Sequence, residues 1–459
     1  MVYTYALDGY RFAVDGNSGS IHALDEITFD MILGENVMPS LQSAQKKLGL
    51  KYTFEEIEEA YGEIQALCDE GMLYSSEDFL ISAAGAKNIP SAVKALCLHV
   101  AHDCNLRCGY CFASEGDYNS GRKLMTRDVA LASVDFLINA SMERHNIEID
   151  FFGGEPLMNF DVVKETVEYG RKLEASAGKH FYFTITTNGT LLDKDKIDFI
   201  NSQMDNVVIS LDGRKEIHDA VRCDRMGRGS YDRIVPMAQK LVAGRYGKSY
   251  FVRGTYTRHN KDFSKDVMHL ADLGFREISV EPVVGGGKAL HFQESDLPDI
   301  FLEYENLALQ YIDRIKSGKP FRFYHFNLDL YNGPCLYKRI AACGAGYEYL
   351  AVSPDGDLFP CHQFVGQDGF VLGNVYTGLN KRSQKIRDDF RSNTVFHKES
   401  CKNCWAKLFC SGGCHANAFF SNGSIEKPNE LICALQKKRI ECAIMIQTAL
   451  SNSNQEAIG

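Results

Sequence analysis

Residues 100–113 read Val-Ala-His-Asp-Cys-Asn-Leu-Arg-Cys-Gly-Tyr-Cys-Phe-Ala, which sets Cys104, Cys108 and Cys111 in a C-x3-C-x2-C array. Just ahead, Ala95-Leu96-Cys97-Leu98-His99-Val100 has the length and apolar character of a buried strand. Three thiolates on one tight loop can hold three corners of a cube-shaped iron–sulfur cluster. The fourth iron is then open to a small molecule. Two plainer readings compete. Any one free cysteine is commonly a core residue, and structural zinc usually takes four ligands in pairs. An aromatic residue, Tyr110, stands immediately before the last cysteine.

Working outward, composition narrows the classes. A chain of 459 residues is long enough for two to four domains. Net charge is -10 with no basic block, which argues against nucleic acid as a partner. The N-terminus lacks a charged segment followed by a long apolar one, and no apolar run reaches membrane-span length. The expectation is a soluble cytoplasmic protein with no membrane partner. Fifteen cysteines, an odd number without a secretion signal, favour metal ligation over a disulfide framework. Their distribution is uneven: only Cys68 and Cys97 precede the triplet, and nine follow residue 330.

From the triplet onward strands and helices alternate. Strands are expected near 95–101, 147–152, 181–187, 206–211, 249–255 and 277–281. Helices fall between them at about 127–142, 160–175, 193–202, 231–244 and 262–272. That spacing is βα-unit spacing and implies a parallel sheet. Six units suit a partial barrel, with chemistry at the C-terminal ends of the strands. The polar motifs fall there: Gly153-Gly154-Glu155-Pro156, Thr186-Thr187-Asn188-Gly189, Ser210-Leu211-Asp212-Gly213 with His218–Arg222, and Val280-Glu281-Pro282. Each alone is an ordinary turn former; four at one end of one barrel form a site. A glycine pair lets backbone approach a ligand, Asn188 and Ser210 offer neutral hydrogen bonds, and Arg222 can clamp a carboxylate.

Over residues 93–285 these motifs resemble the radical S-adenosylmethionine (SAM) enzymes, whose signature is this cysteine spacing with an aromatic in the Tyr110 slot. The resemblance implies that Gly153, Gly154 and Glu155 meet the SAM amino group, and Ser210 and Arg222 its carboxylate. It also puts Tyr110, Val280 and Glu281 by the adenine.

The C-terminal third holds Cys343, Cys361, Cys401-x2-Cys404-x5-Cys410-x3-Cys414 and Cys433. Hairpin signals at Pro354–Asp357 and Val371–Asn374 separate them. Read alone, C-x2-C plus C-x3-C suits one four-thiolate zinc site. The whole array resembles the seven-cysteine SPASM extension, which carries two auxiliary four-iron clusters. By that resemblance Cys343, Cys361 and Cys414 serve the first, with Cys335 as an extra ligand or the position left open to a substrate thiolate. Cys401, Cys404, Cys410 and Cys433 serve the second. Cys442, Cys68, Cys97 and Cys223 read as structural.

Toward the N-terminus, Tyr3–Ala6, Tyr10–Val14 and Ser18–Leu24 read as short strands. Asp25–Ile32 and Ser40–Leu48 read as helices, Thr53-Phe-Glu-Glu opens a third helix with a capping box, and Met72–Tyr74 suits a wing strand. This order resembles the leader-peptide recognition element of enzymes that modify ribosomally made peptides, in which the leader adds as a strand beside Ser18–Leu24. A winged-helix DNA binder is the other reading, but the third helix is acidic and would repel phosphate.

The expected plan is an α/β protein. A winged-helix leader-binding domain (1–80) and linker (81–92) precede a partial (β/α)6 radical SAM barrel (93–285). A helical bridge (286–334) and a SPASM domain (335–459) follow. The whole resembles maturases of the SCIFF type, which install sulfur-to-carbon (Cys–Thr) thioether crosslinks in cysteine-rich ribosomal peptides. That implies three [4Fe-4S] clusters, SAM, a precursor peptide bound through its leader, and an electron donor such as ferredoxin or flavodoxin. In such enzymes an electron from the SAM-binding cluster splits SAM, and the 5′-deoxyadenosyl radical takes hydrogen from a peptide carbon. A cysteine thiolate of the same peptide then bonds to that carbon, and an auxiliary cluster accepts the leftover electron. The rival readings are a sulfatase-type maturase forming formylglycine, and an iron–sulfur scaffold that binds peptide without chemistry.

Overall fold

A computed structural model describes residues 1–78, 92–284, 287–330 and 335–456. The expected linker at 81–92 therefore lies, apart from Ala92, outside the described residues.

The N-terminal unit begins with β1 (Val2–Leu7), β2 (Tyr10–Asp15) and β3 (Ile21–Leu24), an antiparallel sheet in that order. It continues as α1 (Glu26–Ile32), α2 (Leu41–Leu48) and α3 (Phe54–Asp69). Side-chain oxygens of Asp25, Ser40 and Thr53 cap the three helices, and Thr53 and Glu56 form the reciprocal capping box read from the sequence. Ile57, Ala60 and Ile64, on one face of α3, pack with Met31, Ile32 and Leu48 into a small separate core. The expected wing strand at Met72–Tyr74 is not a strand. Its amides turn back onto the end of α3, Met72 and Leu73 both donating to the Leu67 carbonyl. Tyr74 takes a left-handed backbone at φ +52°. β3 pairs with β2 alone.

The middle holds β4 (Ala95–His102), β5 (Asn146–Gly153), β6 (His180–Thr187), β7 (Asn206–Ser210), β8 (Phe251–Tyr256) and β9 (Glu277–Pro282). These are six parallel neighbours in sequence order, each crossing over through helix to the next. The sheet is not closed. Arg322–Phe323 extends it beyond β9, and Tyr349–Val352 joins parallel to β4 on the other side. The expected partial barrel is the fold observed. Ile147, Ile149 and Phe151 alternate inward to a core shared with helices Arg127–Ala140 and Phe160–Ala177.

Tyr349–Val352 turns at Pro354–Asp357 into Asp357–Phe359, so the auxiliary region is bound into the barrel sheet. The C-terminal helix Glu430–Glu456 runs back along helix Leu297–Lys316. β1 docks on this assembly: the Tyr3 ring stacks on Trp405 at 4.4 Å, and its hydroxyl donates to Glu441 at 2.7 Å.

Candidate active site

The cysteine loop leaves β4 at its C-terminal end, as parallel-barrel chemistry requires. Arg107 donates to the carbonyls of Cys104 and Leu106 at 2.6 Å each. The Arg107 and Gly109 amides donate to the Cys223 and Val221 carbonyls at 2.7 and 2.9 Å. Cys104 Sγ accepts from the Leu106 amide at 3.4 Å and from Asn188 Nδ2 at 3.6 Å. Burial, with Glu155 and the Cys108 and Cys111 thiols adding to it, pushes the Cys104 thiol up to about 12. Burial also pushes the Cys108 thiol up to about 11, and buried thiols held up in this way are a donor set that a cationic cluster would relieve.

The next strand presses its glycines against this loop. A Cβ on Gly154 would lie 2.2 Å from the Asp103 carbonyl oxygen, so only glycine lets β5 pass there. The neighbouring Glu155 carboxylate is fully used. It accepts from the Leu157 amide (3.0 Å), the Thr187 hydroxyl (2.7 Å) and the Asn188 amide (2.7 Å). Asn188 bonds onward to Asn105 at 2.9 Å and holds Thr190. Glu155 thus positions the β6 rim.

Arg222 completes the cup. Its Nη1 donates to the Tyr110 hydroxyl at 2.6 Å, and that hydroxyl faces both Asp212 oxygens at 2.7–2.9 Å. Burial raises the Asp212 carboxyl, while Arg222 and Tyr110 work the other way. Arg222 Nε is buried without a hydrogen-bond partner among the described residues. A buried orphan donor invites an anionic ligand. Cys104, Cys108, Cys111, Gly153, Gly154, Asn188, Ser210 and Arg222 all line one cavity of about 140 Å³. These residues fit a SAM-binding iron–sulfur cluster.

The later thiols fall into two groups. Burial raises Cys361, with Cys414 and Cys343 adding to the effect. Burial pushes Cys433 up to about 12, with Cys410, Cys401 and Cys404 adding. Cys414 and Cys343 act on Cys361, whereas Cys410, Cys401 and Cys404 act on Cys433; among the described residues no group of three or more Cys, His, Asp or Glu side chains is arranged to hold a metal ion. Cys335 is exposed at the start of helix Leu336–Ala341. Buried Lys398, bonded to the Gly412 carbonyl at 2.6 Å, feels thiols of both groups.

Residues 98–273 match the model of the radical SAM superfamily, and residues 343–405 match that of the SPASM iron-sulfur cluster-binding domain. The chain has a radical SAM fold with a SPASM domain. The cysteine-type anaerobic sulfatase-maturating enzyme of Clostridium novyi is 26% identical over 352 residues, 70% of this chain and 88% of its own. Mycofactocin maturase MftC of Mycobacterium ulcerans is 26% identical over 73% of this chain and 86% of its own. The subtilosin biosynthesis protein AlbA of Bacillus subtilis is 24% identical over 74% and 71%. The solved structure of anSMEcpe with bound AdoMet superposes with TM-score 0.65 at 22% identity, covering 79% of this chain and 99% of that one. Streptococcus suis SuiB bound to S-adenosylmethionine gives 0.53 at 17%, covering 94% and 98%.

Within this radical SAM frame the expected residues divide. Cys104, Cys108, Cys111, Tyr110, Gly153, Gly154, Asn188, Ser210 and Arg222 come together around the cavity. Glu281 lines a larger adjoining well of about 540 Å³ inside the barrel. There, against the cost of burial, His325 and Arg439 hold its carboxyl well below the usual carboxylate range. Val280 lies in the main core and Glu155 faces the rim backbone, so neither side chain reaches the cavity. Cys223 bonds the Arg107 carbonyl at 3.7 Å, as a structural thiol. Asp212 was legible only as half of an Asp-Gly turn, and Lys398 carried no motif at all.

Proposed function

We propose that the protein is a peptide maturase of the SCIFF type, installing a Cys–Thr thioether crosslink in a cysteine-rich ribosomal peptide. The observation that best supports this reading is the one cavity that Cys104, Cys108 and Cys111 share with Gly154, Ser210 and Arg222, in a chain whose residues 343–405 match the SPASM domain. The curated relatives, by their names, mature sulfatases, mycofactocin and subtilosin. The N-terminal unit of three strands followed by three helices, in the order of a leader-recognition element, favours this reading over a formylglycine maturase.

A four-iron cluster and SAM, held at the first thiol group, supply one-electron chemistry and a carbon-centred radical. Arg222 offers its free Nε to the carboxylate of SAM, while Tyr110 and Asp212 fix its guanidinium plane. Gly154 lets backbone close over the site. The walls exclude water from the reacting centre. The edge of β3 offers unpaired backbone for a leader strand. Cys343, Cys361 and Cys414, with Cys335 as a fourth ligand, hold the first auxiliary cluster. Cys401, Cys404, Cys410 and Cys433 hold the second. A flavodoxin or ferredoxin supplies the reducing electron, and the enzyme works in the cytoplasm.

The test is incubation of the reduced, reconstituted protein with SAM and a cysteine-rich precursor peptide. The expected product has lost two hydrogens per crosslink, with fragment ions linking a cysteine to threonine. An aldehyde in place of the cysteine side chain would favour the formylglycine reading. An unchanged peptide together with no 5′-deoxyadenosine would favour the scaffold.

A further inference from the structure

A second cavity, of about 320 Å³, runs between the barrel mouth and the SPASM domain. It meets the cysteine cavity at Phe112, and it shares Gln363, Val283 and Val284 with the well inside the barrel. The groove, the cysteine cavity and the well thus adjoin one another.

The lining is unusual for this protein. Charged residues make up 24% of the sequence and net charge is -10. Among the described residues the groove is lined by no Asp, Glu, Lys or Arg, and the one side chain there that titrates near neutral pH is His291. Phe112, Val365, Phe420, Leu431 and Ile432 give it apolar walls. Phe420 is half exposed. Gln363, Gln367 and Asn417 add carboxamides with no side-chain hydrogen bond among the described residues. A carboxamide both donates and accepts, so it can pair with backbone C=O and N–H alike, whatever the side chains. At the inner end, Arg253 projects from β8 into the well, with no ion pair or side-chain hydrogen bond among the described residues. Of the acids that line the well with it, Glu148 pairs with Lys94 at 2.7 Å, Glu281 with His325 at 2.9 Å, and Asp150 shares a hydrogen bond with Thr184.

Resting on the peptide-maturase reading, we propose that this groove is the track of the substrate segment flanking the modified residue. It selects an uncharged segment, held through its backbone by Gln363, Gln367 and Asn417, with Arg253 taking a peptide carbonyl oxygen in the well. A charged side chain there would lose water against apolar walls with no Asp, Glu, Lys or Arg of the groove to pair with, which is unfavourable. Charged residues of the substrate are thus confined to the leader or to segments outside the groove.

Three short fluorescent peptides test this on the full-length, reconstituted protein by fluorescence anisotropy. The neutral probe is built of Gly, Ala, Ser, Thr and Cys; the other two carry two Asp or two Lys in its centre. Both charged probes are expected to bind at least ~10-fold more weakly than the neutral one. Phe420→Asp should weaken the neutral probe by a similar factor and Phe420→Lys should restore the acidic one, with iron content unchanged. Gln367→Glu serves as a second variant should Phe420→Asp fail to fold. Equal binding of the three probes, or no effect of either acidic variant on the neutral one, overturns the proposal. Peptide-free 5′-deoxyadenosine formation is read in parallel. If it occurs while all probes bind alike, the groove assignment fails and the radical reading stands. If it never occurs while the neutral probe binds selectively, the reverse holds.

Discussion

Arg222 shows how one side chain carries two duties. It closes the Tyr110–Asp212 pair and keeps one buried donor, Nε, without a partner among the described residues. Arg222→Ala is expected to weaken SAM binding roughly 10–150-fold, the worth of a desolvated charge-assisted bond of ~1.5–3 kcal/mol. Tyr110→Phe, which removes only the hydroxyl, should weaken it less. Isothermal titration with SAM separates the two, and equal affinities for wild type and Arg222→Ala would make Arg222 a structural rim residue. A second buried charge sets a pH dependence. Asp150 lines the barrel well, and burial pushes its carboxyl from 3.8 up to about 7. Because the folded state binds this proton more tightly than the unfolded one, Asp150 stabilises the fold less as pH rises from about 4 to 7. Asp150→Asn should therefore raise the melting temperature at pH 8 by more than at pH 5. A gain that is larger at pH 5 would contradict this placement.

Among the elements, the contact between β4 and β5 matters most. Gly154 crosses so close to Asp103 that a methyl group cannot enter without moving the cysteine loop. Gly154→Ala is expected to fold, since the core behind it is unchanged. It should lose about four of roughly twelve irons per chain, together with SAM cleavage. Full iron with normal cleavage would show that the loop does not depend on this approach. The same scale explains what the sequence revealed. Alternation of 2 and 3.6 makes all six strands and five of the helices between them legible, because parallel strands are apolar and punctuated by glycine motifs, but not the short helix Lys215–Val221, whose residues read as a rim motif. Met72–Tyr74 misled because its apolar residues pack under the end of α3, which needs no sheet partner. Asp212, Arg253 and Gln363 were illegible as site residues. A lone polar residue becomes part of a site only when the barrel curvature brings strands β4 to β9 around one well and the segment His362–Phe364 is packed beside it.

On the scale of the whole molecule, the N-terminal unit is not a free module. Tyr3 stacks on Trp405, a residue of the Cys401–Cys410 loop, and Lys407 of that loop is buried against Asn17 and Glu77. Removing residues 1–78 would strip this cover, so truncation alone is a poor test of leader binding. A gentler one sets Pro at Ile21 against Pro at His22 in β3. Alternate amides point to opposite sides, so one substitution should weaken leader binding much more than the other in folded protein. Equal, negligible effects would place the leader elsewhere. The central claim is that three thiol groups hold three clusters, of which the first alone cleaves SAM. Iron content and 5′-deoxyadenosine, measured together after anaerobic reconstitution of wild type and the Cys104→Ala/Cys108→Ala/Cys111→Ala variant, test it most directly. The expected result is a fall from about twelve to about eight irons per chain with no 5′-deoxyadenosine; a variant that still forms 5′-deoxyadenosine would contradict it.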